Sequence, residues 1–126
     1  MRSKHFAAIA AAALLTAQAS ASMHIADIAW DPQGRFMHIA SIDPGKFVEL
    51  CSRLTRGTTV RWAFEASAPT DFNIHYHQGK DVMYPAKMAA VSSATDALRT
   101  DADEDYCWMW SNKSATPVRL SVRFAR

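Results

Sequence analysis

A chain of 126 residues, 49% hydrophobic and 21% charged, is long enough for one domain with its own core and too short for two large ones. Its formal charge of +2 sits at the start: without Arg2 and Lys4, Lys and Arg balance Asp and Glu at 12 each. A near-neutral body has no electrostatic footprint for nucleic acid, which argues against that class of partner.

Residues 1–21 have the layout of a signal peptide. Arg2 and Lys4 make a short positive region, Phe6 to Leu15 an apolar, Ala-rich run, and Ala19-Ser20-Ala21 an A-x-A cleavage site. The run is too short to span a bilayer, which takes roughly 20 apolar residues. Its proportions are bacterial, so the expected destination is the periplasm or the medium. Residues 22–44 are expected as an N-terminal extension packing on or extending a sheet, and residues 45–126 as the main domain.

Apolar residues in the body alternate, the pattern of half-buried strands. Val60, Trp62 and Phe64 form one set, Phe72, Ile74 and Tyr76 a second, and Val118, Leu120, Val122 and Phe124 a third. Tyr106 to Trp110 is apolar on both faces, which predicts a central strand covered on both sides. Turn chemistry separates these runs at Asp31-Pro32-Gln33-Gly34, Asp43-Pro44-Gly45, Arg56-Gly57, Ala68-Pro69-Thr70 and Gln78-Gly79-Lys80. Short strands at this spacing predict an all-β fold, a small antiparallel sandwich or barrel. Ala86 to Thr100 has no clear period and fits a strand pair, a short helix or a long loop.

The two cysteines, Cys51 and Cys107, both lie in the body. In an oxidising compartment an even count reads as a disulfide, expected here to join two sheets; in a reducing one it would leave two buried thiols.

From about Phe47 to Phe124 the order of features resembles the GOLD (Golgi dynamics) domain of early-secretory-pathway cargo receptors. The likeness rests on Cys51 ahead of Leu54-Thr55-Arg56-Gly57-Thr58, on Phe72 to Lys80 ahead of Val82 to Pro85, on Tyr106-Cys107-Trp108 with Trp110-Ser111-Asn112, and on the closing run Pro117 to Phe124. It implies a jelly-roll-like β-sandwich used for non-covalent binding, with the matching cysteines disulfide-bonded. The chain departs from those receptors in lacking their membrane span and coiled coil, and in carrying Asp103-Glu104-Asp105 where a Gly-containing turn is usual. A role in vesicle traffic is therefore not implied.

Chemistry-bearing residues are few. His75 and His77, two apart on a strand, face the same way and could share a metal ion if a third ligand joined them, Asn73 and Asp81 being the nearby candidates. Cleavage after Ala21 would expose Ser22-Met23-His24, whose amine, two amide nitrogens and imidazole can enclose Cu(II) or Ni(II) in a plane. Several methionines lie near the histidines, though Met is also ordinary core filler. Asp101, Asp103 and Asp105 alternate as in a calcium loop but lack its sixth-position Gly and twelfth-position Glu, so they read as a turn. Asn112-Lys113-Ser114 matches a glycosylation acceptor and equally suits a turn held by side-chain hydrogen bonds. Nucleophile-elbow, H-E-x-x-H and phosphate-loop motifs are all absent, so no enzyme is expected. The first reading is an exported binding module, without a cofactor, for a protein, peptide or lipid-like partner. Exposed aromatics such as Trp30 or an open sheet edge would serve as its contact surface, with Trp108 and Trp110 more suited to the core. The alternative is a copper or nickel protein using His75, His77 and His24.

Overall fold

The computed structural model describes residues 24–126 and, isolated ahead of them, Ala13. The expected signal peptide otherwise lies outside the described residues, as do Ser22 and Met23 of the terminal chelate. Seven strands and no helix are present among the described residues: β1 (His24–Asp27), β2 (Arg35–Ile42), β3 (Phe47–Leu54), β4 (Thr59–Gln78), β5 (Asp81–Arg99), β6 (Glu104–Ser111) and β7 (Val118–Ala125).

Period-two patterning becomes period-two burial. In β7, Val118, Leu120, Val122 and Phe124 are buried while Arg119 and Arg123 are exposed. Val60, Trp62 and Phe64 in β4 do the same. These side chains meet Val48 and Leu50 of β3 and Tyr106, Trp108 and Trp110 of β6 in one aromatic-rich core. Trp110 sits at its centre, 5.5 Å from Phe64 and 5.3 Å from Phe72 between ring centroids. The indole N–H groups of Trp62, Trp108 and Trp110 find no acceptor there. Each such buried donor costs about 1–3 kcal/mol, which the aromatic packing offsets.

Strand β4, 20 residues long, connects the two layers. Its first half, Arg61–Ala66, pairs with β7, which pairs in turn with β2. Its second half, Asp71–His75, pairs with β6, beyond which lie β3 and β1. Strand β5 follows the other edge of β4 through both halves. The hydrogen-bonded path β1-β3-β6-β4-β7-β2 therefore curls over on itself into a sandwich. All pairings are antiparallel except β1 on β3, which is parallel. Residues 24–27 and 35–42 thus extend the layers as edge strands.

Three expectations need correction. Ala68-Pro69-Thr70 does not end a strand: β4 runs through it, with register shifts between Glu65 and Thr70 and between Thr70 and Phe72. Pro69 falls within that irregularity, where its missing N–H breaks no regular ladder and the strand can bend from one layer to the other. Residues 86–99 belong to β5, with Ala90 in the left-handed region at φ 53° and its N–H donated to Asp71 Oδ1 at 3.0 Å. Finally, the disulfide does not span two sheets. Cys51 and Cys107 are direct partners on adjacent strands β3 and β6 of one layer, 4.1 Å apart at Cα. This explains the apolar second face of residues 106–110: Cys107 and half-buried Met109 lie outward, where the disulfide itself supplies the cover.

Polar joints close the ends. Asn112 is buried, donating through Nδ2 to Ile42 O and Thr116 O at 2.8 Å each and accepting from the Ser114 N–H and hydroxyl. The Asn-x-Ser triplet is thus a structural joint. Asp103 accepts the Arg56 N–H at 2.6 Å, and Asp101 to Asp103 form a bend. At Gly34, φ is 74° and a Cβ would lie 2.5 Å from the Arg126 carbonyl oxygen, so only glycine fits.

Candidate functional site

Two surfaces of the sandwich carry chemistry. The first is the outer face of the β3–β6–β4 layer. Since Val48 and Leu50 point inward, Glu49 and Cys51 point outward, and the same alternation places Cys107 and Met109 of β6 and Asn73, His75 and His77 of β4 beside them. In register, Glu49, Met109 and Asn73 form one row across the strands, and Cys51, Cys107 and His75 the next.

His75 is buried although it lies on an outer face, because the disulfide, the Glu49 side chain and the Tyr84 ring, 6.1 Å away, surround it. Its Nε2 lies 3.2 Å from Glu49 Oε1 and its Nδ1 2.7 Å from Asn73 Oδ1. Burial lowers the His75 pKa, opposed by the Glu49 carboxylate and assisted by His77. The two influences conflict. Acceptors at both ring nitrogens suit an imidazolium, whereas loss of water disfavours it. His77 is exposed, with its ring centroid 5.5 Å from that of His75. Among the described residues the only set of three or more His, Cys, Asp or Glu ligand atoms within 4.8 Å of one another is Glu49 with Cys51 and Cys107, whose sulfurs are bonded to each other.

His24 lies elsewhere. Its register partners Val48, Trp110 and Phe72 face the core, so its side chain is on the opposite side of the sheet from His75. It stacks on His38 of β2 at 5.5 Å with nearly parallel rings. His38 has a buried, unpartnered Nε2, and burial, then the neighbouring His24, lowers its pKa. Sequence reasoning missed this pair and the place of Glu49 beside His75, since in each case the partners come from separate strands; Asn73, on the same strand as His75, was among its candidates. One signal was available: Glu49 stands two before Cys51 and so shares its face.

The second surface is a groove of 990 Å³ across the outer face of β2, β7, β4 and β5. Two rows of register partners, Arg35–Ala125–Arg61–Ala97 and Met37–Arg123–Ala63–Thr95, line it. The alanines leave the floor low, and the arginines and Met37 form the walls. Met37 is 68% exposed and Ile39, next on the same face, 60%. Arg35, Arg61, Arg123 and the same-faced Arg119 take part in no ion pair among the described residues. Asp31, at one end, already accepts the N–H groups of Gln33 and Arg35. Trp30 is half-buried, its indole N–H on Ser52 Oγ at 2.8 Å and Arg126 over its ring.

No protein-family model matches the chain, and no curated protein does. Solved structures share its fold. The PliG protein of Aeromonas hydrophila, a periplasmic lysozyme inhibitor of g-type lysozyme, superposes with a TM-score of 0.58 at 11% identity, over 84% of this chain and 98% of that one. PliG of Salmonella Typhimurium gives 0.55 at 12% identity over 81% and 97%. The Yersinia pseudotuberculosis-derived mitogen gives 0.56 at 11% over 72% and 84%. The likeness is one of architecture, an all-β sandwich with the same reach of chain.

Proposed function

We propose that this chain is an exported, non-catalytic module that binds a protein partner, and that its contact surface is the four-strand groove with its unpaired arginines. The groove carries the reading: low alanine floor, apolar Met37 at one side with exposed Ile39 beyond it, and guanidinium groups free to take carboxylates as bidentate pairs. The partner is accordingly a protein presenting acidic side chains. Export is supported by the signal-like first 21 residues and by the disulfide, a bond kept outside reducing compartments. The fold neighbours described as inhibitors of g-type lysozyme, and the resemblance to the GOLD domain, point toward a binding role.

A photo-reactive amino acid placed at Ala63, in the groove floor, tests this in cells that export the protein, with Asp105 on the other layer as the control position. A discrete cross-linked protein from position 63, absent from position 105 and lost in Arg61→Glu/Arg123→Glu, is the expected result. Equal cross-linking from both positions, or none from either, refutes the groove as the contact surface. A lytic assay with g-type lysozyme tests the target named for the PliG neighbours. Inhibition sensitive to the double substitution identifies that partner, and unimpaired lysis eliminates it.

A further inference from the structure

The outer face of the β3–β6–β4 layer has a property independent of the groove. We propose that on reduction of the disulfide, Cys51, Cys107, Glu49 and His75 become a four-ligand Zn(II) site, so that the chain carries a redox-gated metal centre. The ligand set differs from the histidine sets suggested by sequence and draws on three adjacent strands.

Geometry supplies the first argument. One ligand atom each from Glu49, Cys51 and Cys107 lies within 4.8 Å of the others. His75 lies outside that set but beside it, the register partner of Cys107 with its Nε2 3.2 Å from Glu49 Oε1, and it completes the four once the separated sulfurs turn toward it. A nitrogen and an oxygen at that separation, each about 2.0–2.1 Å from a zinc ion, subtend roughly 100° at the metal, close to tetrahedral. Two thiolates, one imidazole and one carboxylate are a donor set that zinc takes readily.

Asn73 aims the His75 ring at the site. In the tautomer that donates Nδ1–H to Asn73 Oδ1, 2.7 Å away, the Nε2 lone pair points at the Glu49 carboxylate oxygen 3.2 Å off. That tautomer leaves a place for a cation between the two atoms. A metal ion fills it while keeping the ring neutral, with Asn73 holding the ring by its other N–H as metal-bound histidines are commonly held.

Reduction opens the site. A dithiol donor attacks the bond through half-buried Cys51, transfers two electrons and two protons, and leaves as its own disulfide. Zinc then displaces the two thiol protons, and two thiolates with one carboxylate bind the dication. In the oxidised chain the sulfurs are committed to each other and the four-ligand set is closed.

The test uses Co(II) as a spectroscopic stand-in for Zn(II), on full-length exported protein reduced under inert gas and freed of reductant. The expected result is one Co(II) per chain with thiolate-to-cobalt charge-transfer and tetrahedral ligand-field absorption, displaced by one equivalent of Zn(II) and absent from the oxidised protein. Glu49→Gln and His75→Ala should each weaken binding at least about 10-fold, and Asn73→Ala by roughly that factor through ring orientation. Absence of the charge-transfer band in reduced protein, or identical cobalt binding by oxidised and reduced protein, overturns the proposal. Should reduction by itself unfold the chain, Zn(II) should restore the strand-type circular dichroism of reduced wild type but not of His75→Ala, and failure to restore it is equally decisive.

Discussion

Replacing both cysteines, Cys51→Ala/Cys107→Ala, removes a cross-link between positions 56 apart in sequence. Loop-closure entropy for such a span is about 14 cal/mol/K, or about 4 kcal/mol at 25 °C. That is a large share of the 5–15 kcal/mol typical of a small domain. At roughly 4–8 °C per kcal/mol for a domain near 100 residues, Tm should fall by roughly 20–30 °C. Urea titration measures this directly, with a second signature in its slope. Without the cross-link the unfolded chain expands, so the m-value should rise as the midpoint falls. A loss below about 1 kcal/mol with an unchanged m-value would refute the reasoning and show that the β3–β6 ladder alone constrains the chain.

Stability should fall as pH drops below the ordinary histidine value of 6.5. Burial lowers the pKa of both His75 and His38, so between the folded and unfolded values the unfolded chain binds more protons. That stability is present in full above 6.5 and is lost as pH falls through the folded values; urea midpoints from pH 7.5 to 5 record it, and His75→Gln should flatten the curve. Trp110→Ala should cost about 3–5 kcal/mol in urea unfolding, since the ring is fully buried between Phe64 and Phe72. Asn112→Ala should cost about 3 kcal/mol in urea unfolding, because it strands the carbonyls of Ile42 and Thr116. Arg61→Glu/Arg123→Glu should change stability by no more than about 0.5 kcal/mol, both side chains being exposed and unpaired.

The layers were legible wherever one face of a strand meets the core and the other meets water. Residues 118–125 are the clearest case, apolar and charged side chains alternating in the sequence and in the fold. Legibility failed where that contrast is missing. Among the described residues strand β5 pairs only with β4, and it exposes most of its side chains, so Ala89 to Ala94 shows no period to read. Pro69 looked like a stop because a proline ends a straight strand, whereas here it sits where the strand bends. The pairing of Cys51 with Cys107 followed from compartment and count, but its placement between neighbours of one layer depends on strand order, which alternation does not encode. Glu49, Asn73 and His75 illustrate the same limit for sites: each residue's outward facing was deducible, but their convergence required knowing that β6 lies between β3 and β4.

Strand β5 leaves an open margin. Among the described residues its second side has no partner strand, so nineteen residues offer a row of amides and carbonyls on which another copy could template itself. Three features interrupt that row: Pro85 removes a donor, Lys87 places a charge, and Ala90 turns the backbone out of line. Pro85→Val with Lys87→Val would restore the donor and remove the charge, leaving that margin open to strand-by-strand growth.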